Sequence, residues 1–507
     1  MENQFNQPRQ TAGMILFGVL LAVFVVPTSI SGTAIILPAL SAELNTDAAT
    51  LQWAVNAFNL TFACFTLVWG SLADIFGCKR SFLTGAALYL LASLASWAAP
   101  NIYILDICRA IAGMGGAALF SCGSAVLVKA FTGQQRTKAF ALFGTTAGLG
   151  ITFGPTISGW VLAMSDWRNI FLIHAIALFL VLIISSGLPD DSKNNVARKL
   201  DATGTVLFIL LLSCLMLSIT YGAHAGWLST TTVSLLIAGS VLMAVFCYVE
   251  RHAQNPIINM RLIKNRRFLG MILIPVVASF AFVPLLTYFP TFLMAVESLS
   301  PLKAGLVMLA LTGPVLLFPL LAAKWVAKGR SADGVLKISL LLLLAGLTLL
   351  WTFSHHHLGL EAMMISLLLV GAGMGLSAGL VDGIALSLVD EHQVGQAAGI
   401  LNTFRLGSEA IAVAVYGSLL ASGIAKAVNG YPELHFTNQT AERRFIADIM
   451  SGHADGNAIG TIPLSVTAIY QHAFEFTLSA LLAVSVIISL FIVWLIKQRP
   501  FLNAKAV

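Results

Sequence analysis

Charge is scarce in this chain, and that scarcity excludes most soluble folds. Asp, Glu, Lys and Arg make up 10% of the 507 residues while 58% are hydrophobic, and the mean hydropathy is +0.89. A soluble domain carries about a quarter charged residues. The six cysteines, Cys64, Cys78, Cys108, Cys122, Cys214 and Cys247, include no C-x-x-C pair, so they read as packing residues and not as a redox or zinc site. No G-x-x-x-x-G-K-[ST] phosphate loop is present to support ATP-driven work. Nor is there a grouping of nucleophile, base or metal ligands, so the chain reads as a non-enzyme without cofactor or metal. His355, His356 and His357 are consecutive and lack further ligands. The first apolar run, Ala12 to Leu40, is too long for the core of a signal peptide and has no convincing small-residue cleavage site, which predicts a retained helix.

What the sequence has is apolar runs long enough to cross about 30 Å of hydrocarbon. They fall at 13–40, 51–73, 82–99, 103–128, 138–164 and 169–188, then 203–222 and 231–249, then 268–296, 302–327, 335–354, 361–388, 395–425 and 468–496. The sequence therefore predicts an all-α polytopic membrane protein with 14 transmembrane helices. Its expected division is a six-helix bundle over 1–188, two linker helices with basic flanks over 189–267, and a second six-helix bundle over 268–507 with a long outer loop at 427–465. A short amphipathic element is expected within that loop near Ala441 to Met450.

Basic residues collect on alternate loops, as the positive-inside rule requires if both termini are cytoplasmic. Lys79 and Arg80, then Lys129, Arg136 and Lys138, then Lys193, Arg198 and Lys199 fall inside; so do Arg251, Arg261, Lys264, Arg266 and Arg267, then Lys324, Lys328, Arg330 and Lys337, and finally Lys497, Arg499 and Lys505. Arg168, Lys303, Lys426, Arg443 and Arg444 fall outside, and the inner loop Asp390 to Gln393 carries no base. The formal charge of +6 is then a topological signal and a match to anionic inner-leaflet lipid, with no call for nucleic acid.

Three segments carry mechanism. The turn GSLADIFGCKR, Gly70 to Arg80, places Asp74 between the glycines Gly70 and Gly77 and beside the bases Lys79 and Arg80. The run RAIAGMGGA, Arg109 to Ala117, sets an intramembrane arginine before a small-residue stripe, with Asp106 in reach at i, i+3. The run GLGITFGPTISGW, Gly148 to Trp160, gathers Gly150, Gly154, Pro155 and Gly159 on one bent helix surface.

These segments resemble the G-x-L-A-D-x-x-G-x-K-R, R-x-x-x-G-x-G-x-A and G-x-x-x-G-P-x-x-G-G motifs of the major facilitator superfamily. Asp166 to Phe171, Asn255 to Phe268, Leu299 to Ala310 and Leu401 to Leu419 extend the resemblance to its 14-helix drug:proton antiporter group. The resemblance implies a gate at Gly70, Asp74, Gly77, Lys79 and Arg80. It also implies an antiporter seam between the bundles at Gly150, Gly154, Pro155 and Gly159. The implied activity is proton-coupled export of small amphipathic organic compounds from a cytoplasmic (inner) membrane, including multidrug and antiseptic efflux. Export of an endogenous metabolite, such as a siderophore or another natural product, is the alternative. Substrate, protons and membrane lipid are the implied partners, and a periplasmic adaptor is left open.

The chain departs from the family pattern inside the bundle. Where members often read D-x-T-I-V-N-V-A-L-P, it reads SISGTAIILP, with Ser29 at the acidic position and Ala34 at that of Asn. The first helix has no acid. Candidates for proton coupling are Glu409, Arg405 four residues before it, Asp382 and Arg109. The Arg405–Glu409 spacing reads either as a static ion pair or as a coupling site. Substrate candidates are Ser29, Thr33, Asn56, Asn59, Tyr221 and Tyr288, with Thr28, His174 and Phe292 as further polar or aromatic positions. Pro275, Pro284 and Pro290 mark the ninth helix as a kinked, moving element.

Overall fold

The computed structural model describes residues 9–44, 46, 48–51, 53–186, 201–253, 256–258, 260–390, 393–428, 445–446, 449–450 and 463–497. Among the described residues there is no β-strand. The first long helices are α1 (Arg9–Leu44), α2 (Trp53–Phe76), α3 (Cys78–Trp97), α4 (Ile102–Ala130), α5 (Gly133–Met164) and α6 (Arg168–Ser186). A hairpin follows, α7 (Ala202–Ala225) and α8 (Thr230–His252). The remainder are α9 (Arg266–Ala295), α10 (Pro301–Ala327), α11 (Ala332–His355), α12 (Leu360–Ser377), α13 (Leu380–Ser387), α14 (Val394–Val428) and α15 (Pro463–Lys497).

Among the described residues, thirteen spans are long and apolar enough to cross a bilayer, α12 and α13 together forming one of them. Helix α3 is the fourteenth, 20 residues long, its hydropathy lowered by Lys79 and Arg80 at its start. The outer surface fits a lipid solvent, with Leu91, Ile107, Trp160, Ile183, Leu317, Leu341 and Leu490 all exposed. Short polar residues cap the helices where the apolar runs begin. Asn101 Oδ1 accepts the Ile104 N–H at 3.0 Å, Asp201 Oδ1 that of Gly204 at 2.9 Å, and Ser331 Oγ that of Gly334 at 3.1 Å.

Helices α1 to α6 pack on one another, chiefly α2 and α3 on α4 and α1 on α5; α9 to α15 do the same through α10 and α11 on α12 and α14 on α9 and α15. The two groups meet where α14 crosses α2 and α10 crosses α5, and α7 touches both α2 and α14. Arg168, one of the bases expected on the outer side, is held between Glu43 at 2.6 Å and Asp166 at 3.1 Å, which compensates its charge locally.

One sequence expectation changes. The run 361–388 is not one helix: it breaks at Ala378 and Gly379, where Gly379 has φ +75° and a Cβ would run into the Phe140 carbonyl oxygen of α5. Only glycine can turn there and let α5 approach. Helix α9 contains Pro275, Pro284 and Pro290 within its span. Lys193, Arg198, Lys199, Arg443, Arg444, Arg499 and Lys505 lie outside the described residues, as does most of the loop 427–465; of the element expected there, Phe445, Ile446, Ile449 and Met450 are described and helical.

Candidate functional site

The gate residues assemble around the first turn of α14. Asp74 accepts the backbone N–H of Gly395 at 2.9 Å and of Gln396 at 2.8 Å, a carboxylate set on a helix N-terminus where the exposed N–H groups and the dipole favour it. The helices touch because side chains are missing: a Cβ on Gly70 would overlap the Gly395 carbonyl oxygen and lie 3.2 Å from the Gly399 Cα. Gly77, at φ +99°, starts α3, with Lys79 half-buried and Arg80 exposed just beyond it.

The contact extends to residues no motif flags. The Gln396 side-chain amide donates to the carbonyls of Pro256 at 3.1 Å and Ile257 at 2.5 Å, and Glu250 accepts the N–H groups of Ile257 at 3.1 Å and Ile258 at 3.2 Å. One signal for Glu250 exists in the sequence: an acid near the C-terminus of a helix opposes the helix dipole, so it needs a local reason. Gln396 carries no such signal.

Arg109 is 1% exposed in the middle of the first helix group. Its Nε donates to the Ala54 carbonyl at 2.8 Å and its Nη1 to Ser29 Oγ at 2.8 Å, while the Phe58 ring lies 4.4 Å from the guanidinium carbon. Its Nη2 is buried without a hydrogen-bond partner, as is Asp106 Oδ1, so the local Asp106–Arg109 pair suggested by spacing does not form. The reason is reach: the Arg109 side chain extends toward α1 and α2 instead.

Asp382 and Arg405 form the ion pair of the second helix group. Asp382 is 1% exposed in the first turn of α13 and accepts from Arg405 Nη2 at 2.7 Å; Arg405 Nη1 donates to Asn402 Oδ1 at 3.1 Å. The break at Gly379 brings Asp382 there. Arg405 is thereby taken from Glu409, and the static Arg405–Glu409 pair allowed by spacing is corrected. Glu409 is half-buried and has no hydrogen bond or ion pair at bonding distance among the described residues.

Glu409 stands between two chambers. The first, about 180 Å³, is mainly apolar, with Phe62, Phe120, Phe143 and Phe282 in its walls and Asp382 and Arg405 at its margin. The second, about 470 Å³, is more polar, with Asn56, Asn59, Thr220, Thr287 and Tyr288 in its walls. Ile30, Phe62, Leu406 and Glu409 line both.

Several sequence candidates stay away from these chambers. Ser29 and Thr33 are fully buried, Ser29 against Arg109 and Thr33 donating to the Ser29 carbonyl at 2.6 Å. Tyr221 is 39% exposed and lines neither chamber; its neighbour Thr220 does. Phe292 stacks on Phe474 at 4.2 Å in the core, and Thr28 and His174 line a separate apolar cavity of about 110 Å³.

The seam expected between the bundles lies on other glycines. Gly150 and Gly154 face α1: a Cβ on Gly150 would lie 2.7 Å from the Phe24 carbonyl oxygen, and one on Gly154 would overlap Ser31 Oγ. Gly159 has only Ile35 near it, at 3.9 Å, and Pro155 continues the same helix. The crossing between the two helix groups falls on Gly144, 2.9 Å from the Ala378 carbonyl carbon, and on Gly148, 3.0 Å from Val315, when each is given a Cβ. Thr145 Oγ1 donates to the Leu316 carbonyl beside them at 3.3 Å.

Known proteins are similar to this chain in sequence or in fold. "Multidrug resistance protein Stp" of Mycobacterium tuberculosis is 29% identical over 409 residues, covering 80% of this chain and 75% of its own length. "Puromycin resistance protein pur8" of Streptomyces alboniger is 29% identical over 454 residues, 84% of this chain and 88% of its own, and the "Probable actinorhodin transporter" of Streptomyces coelicolor is 28% identical over 397 residues, 75% and 68%. In fold, a proton:xylose symporter matches with a TM-score of 0.62 at 14% identity, 96% of each chain covered. The human organic anion transporter MFSD10 matches at 0.61 and 15% identity, covering 96% of this chain and 100% of its own. The pattern of the Major Facilitator Superfamily matches residues 19–413, and the chain belongs to that superfamily as a multi-pass membrane transporter.

Proposed function

We propose that this protein is a proton-coupled exporter of small amphipathic organic compounds, working by alternating access in a cytoplasmic (inner) membrane with both termini inside. The helix groups 1–188 and 268–507 are the rocking units and 189–267 joins them. The observation that carries the reading is Glu409, a carboxylate with no hydrogen bond or ion pair among the described residues, at the junction of two chambers. A partnerless acid in a membrane interior is costly and functional by default. Here it is free to exchange a proton for the cationic or polar group of a substrate, because Asp382 already neutralises Arg405. Each net charge moved draws about 2.3 kcal/mol from a potential of 100 mV. The names of relatives as multidrug and puromycin resistance proteins agree with this direction of transport.

Everted membrane vesicles acidified by respiration test the reading. Adding ethidium, tetraphenylphosphonium or doxorubicin should cause proton release from vesicles holding the protein and none from vesicles lacking it. Identical traces from the two preparations with all three compounds would remove it.

Export of an endogenous metabolite is a second reading, favoured by the likeness to a probable actinorhodin transporter. Arg109 is buried away from both chambers and Arg405 is paired, which supports neutral or cationic products in this reading.

A further inference from the structure

The two helices α7 and α8 are additions to the two six-helix groups, and α7 is not a bystander. It is fixed to both groups at once. Ser213 Oγ and Cys64 Sγ of α2 lie 3.5 Å apart, and a Cβ on Gly407 of α14 would lie 3.8 Å from the Met216 Cε. Trp227, in the turn after α7, donates its indole N–H to Ser418 Oγ of α14. In the gap so bridged, Met216, Leu217, Ile219 and Thr220 of α7 close the wall of the larger chamber.

We infer that this larger chamber is a second substrate subsite, built in part by α7, that takes the hydrogen-bonding end of a cationic amphipath whose apolar body fills the smaller chamber. The inference rests on the export reading above. Size is the first argument: drug-sized ligands occupy pockets of about 300–1,000 Å³, and the aromatic chamber offers only about 180 Å³ while its neighbour offers about 470 Å³. A molecule whose apolar body enters the smaller chamber therefore extends past Glu409, which lines both, into the larger one. Chemistry is the second argument. The Asn56 and Asn59 amides and the Tyr288 hydroxyl have no hydrogen-bond partner among the described residues, so their donors and acceptors are unspent on the wall opposite α7. Thr220 and Thr287 bond only to carbonyls of their own helices. A hydroxylated, glycosylated or amide-bearing end finds unspent partners here, whereas most polar groups of the aromatic chamber are already bonded: Ser279, Thr312 and Ser377 to carbonyls of their own helices and Asp382 to Arg405. Helix α7 thus sets which substrates fit, and Thr220 is a specificity residue.

Binding of two cationic probes to the purified full-length protein tests this. Tetraphenylphosphonium has no hydrogen-bonding end; doxorubicin has a hydroxylated ring and an amino sugar. Thr220→Trp, which fills the chamber from α7, should weaken doxorubicin binding at least tenfold and tetraphenylphosphonium binding less than twofold. Asn59→Leu, on an exposed site of the facing wall, should weaken doxorubicin about fivefold with the same selectivity, and it keeps the test open where the larger substitution impairs folding. Leu210→Trp, on the outward side of α7, should change neither. If both chamber variants affect the two probes equally, or affect neither, the subsite is overturned and the export reading survives. If the unaltered protein binds neither probe and moves neither in vesicles, the export reading itself falls.

Discussion

Arg109 donates a guanidinium N–H to Ser29 Oγ across 2.8 Å, so the buried cation of α4 meets a neutral hydroxyl at the position where the superfamily pattern often has an acid. The sequence shows the serine and the arginine separately, 80 residues apart, and their contact joins the two observations. The charge is held by a serine, the Ala54 carbonyl and the face of Phe58, with no carboxylate in ion-pair range among the described residues. This pair has no acid to exchange a proton, so the proposed coupling rests on Glu409 instead.

Ser29→Ala is expected to leave a buried guanidinium N–H without its acceptor, at a cost of about 1–3 kcal/mol. Ser29→Asp supplies the missing counter-charge in the same place and is expected to be more stable than Ser29→Ala. Thermal unfolding of the detergent-purified proteins measures both. An aspartate variant that melts below the alanine variant would mean that Arg109 is not held through Ser29.

The Asp382–Arg405 pair predicts strong non-additivity. Asp382→Asn leaves a largely buried guanidinium without its counter-charge and should cost about 3 kcal/mol. The double change Asp382→Leu with Arg405→Met should recover most of that, because a buried pair replaced by apolar groups of similar volume is often neutral. A double-mutant cycle on unfolding checks this; additive losses would contradict the pairing.

Close approach at the gate is the third expectation. Gly70→Val inserts a branched side chain where even a Cβ would overlap Gly395, so α2 and α14 must separate at the Asp74 end. Spin labels on exposed positions of the two helices should report a distance longer by several ångströms (~5 Å, half a helix diameter), and transport should fall at least tenfold. An unchanged distance would show that the glycine contact does not close this end.

The fold was legible because bilayer thickness dictates long apolar runs, and 14 of them appear with their bases on alternate loops. The turn at Gly70, Asp74 and Gly77 was legible as a motif, but its partners Gly395 and Gln396, more than 300 residues on, were not. Partners across the bundle were harder. Arg405 is four residues from Glu409, yet it pairs with Asp382 because Gly379 breaks the preceding helix, and one glycine in an apolar run gives little notice of that. The glycine seam was read on Gly150 and Gly154, but helix rotation turns those toward α1 and gives the crossing to Gly144 and Gly148. Gln396 and Glu250 were missed because they lie outside the motifs themselves and bond to backbone groups of Pro256, Ile257 and Ile258, whose side chains give no notice of it. The chambers depend on how α7 sits between α2 and α14, which no spacing within a single helix encodes.

The central claim is that Glu409 couples protons to substrate. Protein reconstituted in proteoliposomes with an imposed pH gradient allows doxorubicin movement and proton flux to be followed together, in the unaltered protein and in Glu409→Gln. The account predicts that Glu409→Gln still binds substrate but no longer accumulates it against a gradient and releases no protons on substrate addition. Full coupled accumulation by Glu409→Gln, with proton release equal to that of the unaltered protein, would contradict it.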